Sequence, residues 1–183
     1  MRRRPSNELR TFVSADTEAT GFSPDDGDRI VEVAFLRFVE GELSDKLVSL
    51  IHPQRPIPPR VIDIHGITDE MVAKSPTFGK LFPKIVKFVG DAPLVIHNAP
   101  FDLPFRENES YLAGKEWPSE ISVYDKLEIA RGSCLFGRSH RLPDLAHHIG
   151  LVQRFHRAEA DAYAAGKLLL NLMAKDVAIE PWQ

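Results

Sequence analysis

The run Ile30–Phe38 is the longest β-prone stretch in the chain, and it is followed by a hairpin signal at Glu40-Gly41 and a second β-prone run at Leu47–Ile51. That pattern predicts an antiparallel hairpin, and the β-prone Thr11–Ala15 upstream adds a third strand to it. Downstream the period changes. Leu94-Val95-Ile96-His97 reads as a buried strand, Asn98 to Asp102 as a turn into a helix with Pro100 at its first position, and Ile121–Tyr124 as a fifth strand. Helices are expected at Asp125–Arg131, at Pro143–Ile149 where Gly150 stops the pattern, and at Ala158–Met173. Hairpin strands followed by strands alternating with helices specify an α/β fold: a mixed five-stranded sheet with helices on both faces.

A chain of 183 residues with 43% hydrophobic content suits one domain over 1–183 with one sizeable core. No repeat, low-complexity tract or interdomain linker interrupts it. His52–Pro59 carries four prolines and should be an extended loop. Ser75-Pro76 resembles a helix start, with Phe78, Leu81, Phe82, Ile85 and Val89 at helical spacing. Pro83 interrupts that pattern at a cost of roughly 3 kcal/mol, so a kink or a later start near Pro83 is expected.

The lone Cys134 excludes an intramolecular disulfide and a thiolate zinc cluster, as suits a reducing compartment. Met1–Arg10 is basic and is expected to be disordered; no apolar run follows it that could serve as a signal peptide or membrane span. A soluble, cytoplasmic protein without membrane partners is expected. The net charge of -3 argues against a lysine-coated duplex binder, although cations held by clustered acids would reverse the local field.

Three acidic patterns stand out: Asp16-Thr17-Glu18, Asn98-Ala99-Pro100-Phe101-Asp102 and His156-Arg157-Ala158-Glu159-Ala160-Asp161. Residues two apart on a strand share a face, so Asp16 and Glu18 can reach one ion. Asp102 falls in a first helical turn, Asp161 lies on the final helix, and His156 stands just before it. Carboxylates are the preferred ligands of Mg²⁺ and Mn²⁺, and four of them suit two divalent cations. Without metal they would repel one another, raising pKa values and leaving the site loose or partly protonated.

Asp16-Thr17-Glu18-Ala19-Thr20-Gly21, His97-Asn98-Ala99-Pro100-Phe101-Asp102 and His156-x-Ala158-x-x-Asp161 resemble the three motifs of the DEDDh 3′-5′ exonuclease family. Ile64-His65-Gly66-Ile67-Thr68-Asp69-Glu70 looks like the epsilon proofreading subunit of bacterial DNA polymerase III and its stand-alone relatives. The likeness runs from about Thr11 to Met173. It implies a ribonuclease H-like fold and stepwise release of nucleoside 5′-monophosphates from 3′ ends by two-metal hydrolysis. It also implies roles. Asp16 resembles the acid bridging both ions, Glu18 and Asp161 its partners where the attacking water sits, and Asp102 the holder of the second ion. His156 has the place of the general base. An imidazole accepts protons near neutral pH, and such catalysis is worth about 10²–10⁴-fold. Ala19 stands where relatives often carry a larger or hydroxylated residue, and Arg60 where the epsilon subunit resembles an acidic contact, so substrate preference is open. The chain ends at Gln183 without the long tail of epsilon-type subunits, which weighs against association with a polymerase.

Thr17, Ala19, His65, Asn98 and Phe101 are the candidate substrate contacts. Each has a plainer alternative. Asn98 can shape the turn that aims Asp102, Phe101 can be core, and His65 can cap the loop after the prolines or meet the terminal nucleotide. Phe22 could stack on a base or pack locally. His52, His140, His147 and His148 have no acidic partner at metal spacing and read as surface or core; Asp125 and Asp144 read as helix N-terminal acids. The substrate expected is single-stranded or frayed DNA. RNA or short oligoribonucleotides, and a catalytically inactive nucleic-acid-binding or scaffold module, are the alternatives.

Overall fold

The computed structural model describes residues 7–118, 121–133 and 139–182; Arg2-Arg3-Arg4, Cys134 and Gln183 lie outside them. Asn7–Arg10 forms a 3-10 turn that buries Leu9. Strand β1 (Thr11–Ala19) leads into β2 (Ile30–Val39) and β3 (Glu42–Leu50). It runs to Ala19 rather than ending at Ala15, because its pairing with β2 continues to Ala19↔Ile30. Asp16 and Glu18 are therefore inside the strand. Two short helices, α1 (Pro59–His65) and α2 (Asp69–Val72), follow the proline-rich loop.

Helix α3 (Phe78–Val89) starts at Phe78, with Thr77 as its N-terminal flank, and passes Pro83 without a break. Burial of Phe78, Leu81, Phe82, Ile85 and Val89 on the sheet offsets the hydrogen bond that Pro83 cannot donate. Strand β4 (Leu94–Ile96) and helix α4 (Ala99–Leu112) come next, then β5 (Val123–Asp125), α5 (Lys126–Gly132), α6 (Leu142–His148) and α7 (Ala158–Ala174). Strand β5 is later and shorter than expected: Asp125 ends it and caps α5, accepting from the Leu127 N–H at 2.8 Å.

The five strands lie in the order β3-β2-β1-β4-β5, with β1, β2 and β3 antiparallel and β4 and β5 parallel to β1. Strand β1 is thus central, and both faces of it are covered. Val13, Ala15, Val33 and Phe35 pack under α3 and α4. Phe12, Leu36, Phe38 and Val95 pack against α7 through Ala158, Ala162 and Leu169. Helix α7 lies so close that a Cβ on Gly166 would come within 2.4 Å of the Phe38 ring. No helix among the described residues is long and apolar enough to cross a membrane.

Candidate active site

Alternation along β1 turns Asp16 and Glu18 toward α7, and the Ser14 hydroxyl fixes that helix by donating to the Ala162 carbonyl at 2.7 Å. Asp161 in the first turn of α7 then meets them: one ligand atom from each of Asp16, Glu18 and Asp161 lies within 4.8 Å of the others. Asp102 is reached from the other face of β1. The Thr17 hydroxyl, pointing opposite to its neighbours, donates to Asp102 Oδ1 at 2.6 Å. Asn98 makes this possible: it turns through a left-handed conformation (φ 72) between β4 and α4, and its N–H donates to Asp125 Oδ1 at 3.1 Å. Asp16, Glu18, Asp102, Asp161 and His156 line one cleft of about 870 Å³.

His156 sits at φ 62, in the left-handed region that non-glycine residues adopt uncommonly, and its N–H donates to Asp161 Oδ2 at 3.0 Å. Asp161 Oδ1 is buried with no hydrogen-bond partner among the described residues.

The carboxylates oppose one another. Burial, then the charges of Asp102, Asp161, Glu18 and Glu32, hold Asp16 well above the ordinary carboxylate range. Burial and the charges of Asp161, Glu32 and Asp102 push Glu18 up to about 8. Burial raises Asp102 to about 7 against the Thr17 hydrogen bond, and Asp161 to about 6 against the His156 N–H. A cluster of oxygen donors at this spacing, with one carboxylate oxygen left unpartnered, fits a hard divalent cation.

Thr17, Asn98 and Phe101 line the cleft, as does Ile64; Ala19 and His65 are buried and are not among its lining residues. His65 Nδ1 accepts from the Ile67 N–H at 3.0 Å, and burial pulls this imidazole below its usual range. Phe22, 65% exposed, completes an apolar wall with Ile64 and Phe101. His140, Arg131 and Arg141 also line the cleft. No motif spacing marks these three, because Arg131 comes from α5 and His140-Arg141 from the segment just ahead of α6.

Two further groups escaped sequence reading. Glu32 is buried within β2; a charged residue amid the apolar Ile30–Phe38 run was the available signal. Lys126 is fully buried at the start of α5, its Nζ without a hydrogen-bond partner among the described residues, and burial pushes it down to about 7 against the charges of Asp125 and Asp16. An unfolded lysine keeps its proton to about pH 10.4, so folding near neutrality must strip or bury that charge. Lys126→Met is therefore expected to raise the melting temperature of the protein, measured in the presence of Mg²⁺, by about 2–4 °C, on the order of 1 kcal/mol. A scanning-calorimetry decrease would contradict this.

The exonuclease (RNase_T) family profile matches residues 13–169. The chain belongs to the DEDDh 3′-5′ exonuclease family. It is 35% identical over 171 residues to the DNA polymerase III subunit epsilon of Treponema pallidum, covering 92% of this chain and 79% of that one. A DNA polymerase III subunit epsilon-like protein of Rhodobacter capsulatus is 36% identical over 170 residues; the match covers 89% of this chain but only 24% of that relative. Exonuclease X, solved with a 5′-overhanging duplex DNA, superposes with a TM-score of 0.71 at 26% identity, covering 88% of this chain and 90% of that one. The nuclease domain of 3′hExo shares the fold at a TM-score of 0.84 and 17% identity, covering 97% and 98%. The mixed five-stranded sheet with helices on both faces is a ribonuclease H-like fold, matching these structural neighbours.

Proposed function

We propose that this chain is a 3′-5′ exonuclease that releases nucleoside 5′-monophosphates from single-stranded or frayed DNA ends. The observation carrying this reading is the meeting of Asp16, Glu18 and Asp161 within 4.8 Å, in a cleft that also holds Asp102 and His156. Asp16, Glu18, Asp161 and Asp102 would hold two divalent cations, Mg²⁺ or Mn²⁺, which when bound activate water and stabilise charge on the phosphate and the departing 3′ oxygen. His156 accepts the proton of the attacking water as its oxygen bonds to phosphorus and the bond from phosphorus to the 3′ oxygen breaks. Asp161 holds His156 through the backbone contact, and Thr17 holds Asp102. The wall of Phe22, Ile64 and Phe101 offers stacking and apolar contact to the terminal nucleoside. DNA is preferred here because the two sequence relatives named above are a DNA polymerase III subunit epsilon and an epsilon-like protein, and Exonuclease X was solved on DNA, whereas 3′hExo, solved with rAMP, shares the fold at only 17% identity. Their names also make a DNA polymerase the partner to test by co-purification.

A 5′-labelled DNA strand incubated with Mg²⁺ or Mn²⁺ is expected to shorten to a ladder from its 3′ end, faster than a matched RNA strand. His156→Ala should slow it about 10²–10⁴-fold. Binding without shortening in either metal would instead favour the inactive binding module.

A further inference from the structure

Glu32 stands directly across from Glu18 in the β1–β2 ladder, an arrangement of like charges that ordinarily destabilises a sheet. It is nevertheless 2% exposed and fully bonded. Arg157 grips it with both arms of its guanidinium, Nε to Oε2 at 3.0 Å and Nη2 to Oε1 at 2.5 Å, and the Ala158 N–H donates to Oε2 at 3.0 Å. Both carboxylate oxygens are therefore committed away from the acidic cluster, and they hold the two residues that follow His156. A planar fork on a carboxylate restrains position and orientation together. The restraint matters here because His156 occupies a left-handed backbone conformation, which persists only where its surroundings enforce it.

We infer that Glu32 is a positioning residue: through Arg157 and the first N–H of α7 it sets the turn that presents His156 to the attacking water. This rests on the reading of His156 as the base under the proposed function. Glu32 does not line the cleft that holds the acids and His156.

The test is a mutant cycle on DNA hydrolysis, with thermal melting in Mg²⁺ confirming that each variant folds. Glu32→Gln is expected to lower kcat about ten- to hundredfold with little change in KM, the scale of loss when a reacting group is slightly misplaced. Arg157→Ala, which removes a side chain 41% exposed, should do the same and serves where Glu32→Gln melts too low. In a His156→Ala background each substitution should cost less than about twofold, since there is no base left to position. Undiminished cost in that background would overturn the inference, showing that Glu32 acts through the fold or the acids. Wild-type kcat in both Glu32→Gln and Arg157→Ala would overturn it as well. Wild-type kcat in His156→Ala alone would remove the base itself, a failure of the proposed function that is visible before either partner is changed.

Discussion

Asp16→Asn is expected to cut DNA hydrolysis by at least about 10³-fold while raising the melting temperature of the metal-free protein at pH 8. The loss follows from removing a charge aimed at the cation site, where several kcal/mol of transition-state stabilisation are at stake and each 1.36 kcal/mol is a factor of ten. The gain follows from the same charge. Without cations, Asp16 is buried against Asp102, Asp161, Glu18 and Glu32, and each of those acids raises its pKa. Asn keeps the shape and removes the repulsion. Relief of about 1 kcal/mol corresponds to roughly 2–4 °C in a chain of this size. Steady-state assays and melting curves in chelator provide the check. Opposite signs mark a residue retained for chemistry; a fall in both would mean that Asp16 holds the fold together.

The second large effect is a stability that falls as pH rises. An acid whose folded pKa lies above its unfolded value binds its proton more tightly in the native state, so raising pH from the unfolded toward the folded value favours unfolding. Unfolded carboxyls titrate near 3.9–4.3, whereas Asp161, Asp102 and Glu18 titrate at about 6, about 7 and about 8 here, with Asp16 also raised. The metal-free protein should lose stability progressively between about pH 5 and pH 8. His97, pushed down to about 2 by burial and by the charges of Lys126 and Arg131, works in the other direction below about pH 6.5, as Lys126 does above about pH 7. His97 opposes with one proton against four carboxylates, and Lys126 with one against Glu18 and Asp16, so the decline should dominate. Under the proposed function Mg²⁺ would bind the ionised acids, hence its stabilisation should be small at pH 5 and large at pH 8. Melting curves at three pH values, with chelator and with Mg²⁺, measure both slopes. A chelated protein that becomes more stable toward pH 8 would refute the repulsion.

The acids that meet at the cleft were legible because strand alternation and helical position are local. Two-residue spacing puts Asp16 and Glu18 on one face of β1, and Pro100 opens the helix that carries Asp102 in its first turn. The mixed sheet was legible for the same reason, since hairpin signals and changes of period are read within a dozen residues. Boundaries depended on partners. Strand β1 extends through Glu18 because β2 pairs with it there, and α3 runs through Pro83 because the sheet buries its apolar face.

What no local pattern carries is contact between distant segments. Glu32 and Arg157 are 125 positions apart, and the charged residue in β2 finds its purpose only when α7 crosses the sheet. Thr17 and Asp102, 85 apart, meet only because α4 returns to the end of β1. Lys126 lies beside Asp16 only once β5 has paired with β4. Residue order therefore determined which acids the strands and helices present. Tertiary structure decided which of them repel one another, which are neutralised by a neighbour, and which stand open to a cation, because charge interactions and burial depend on distance in space.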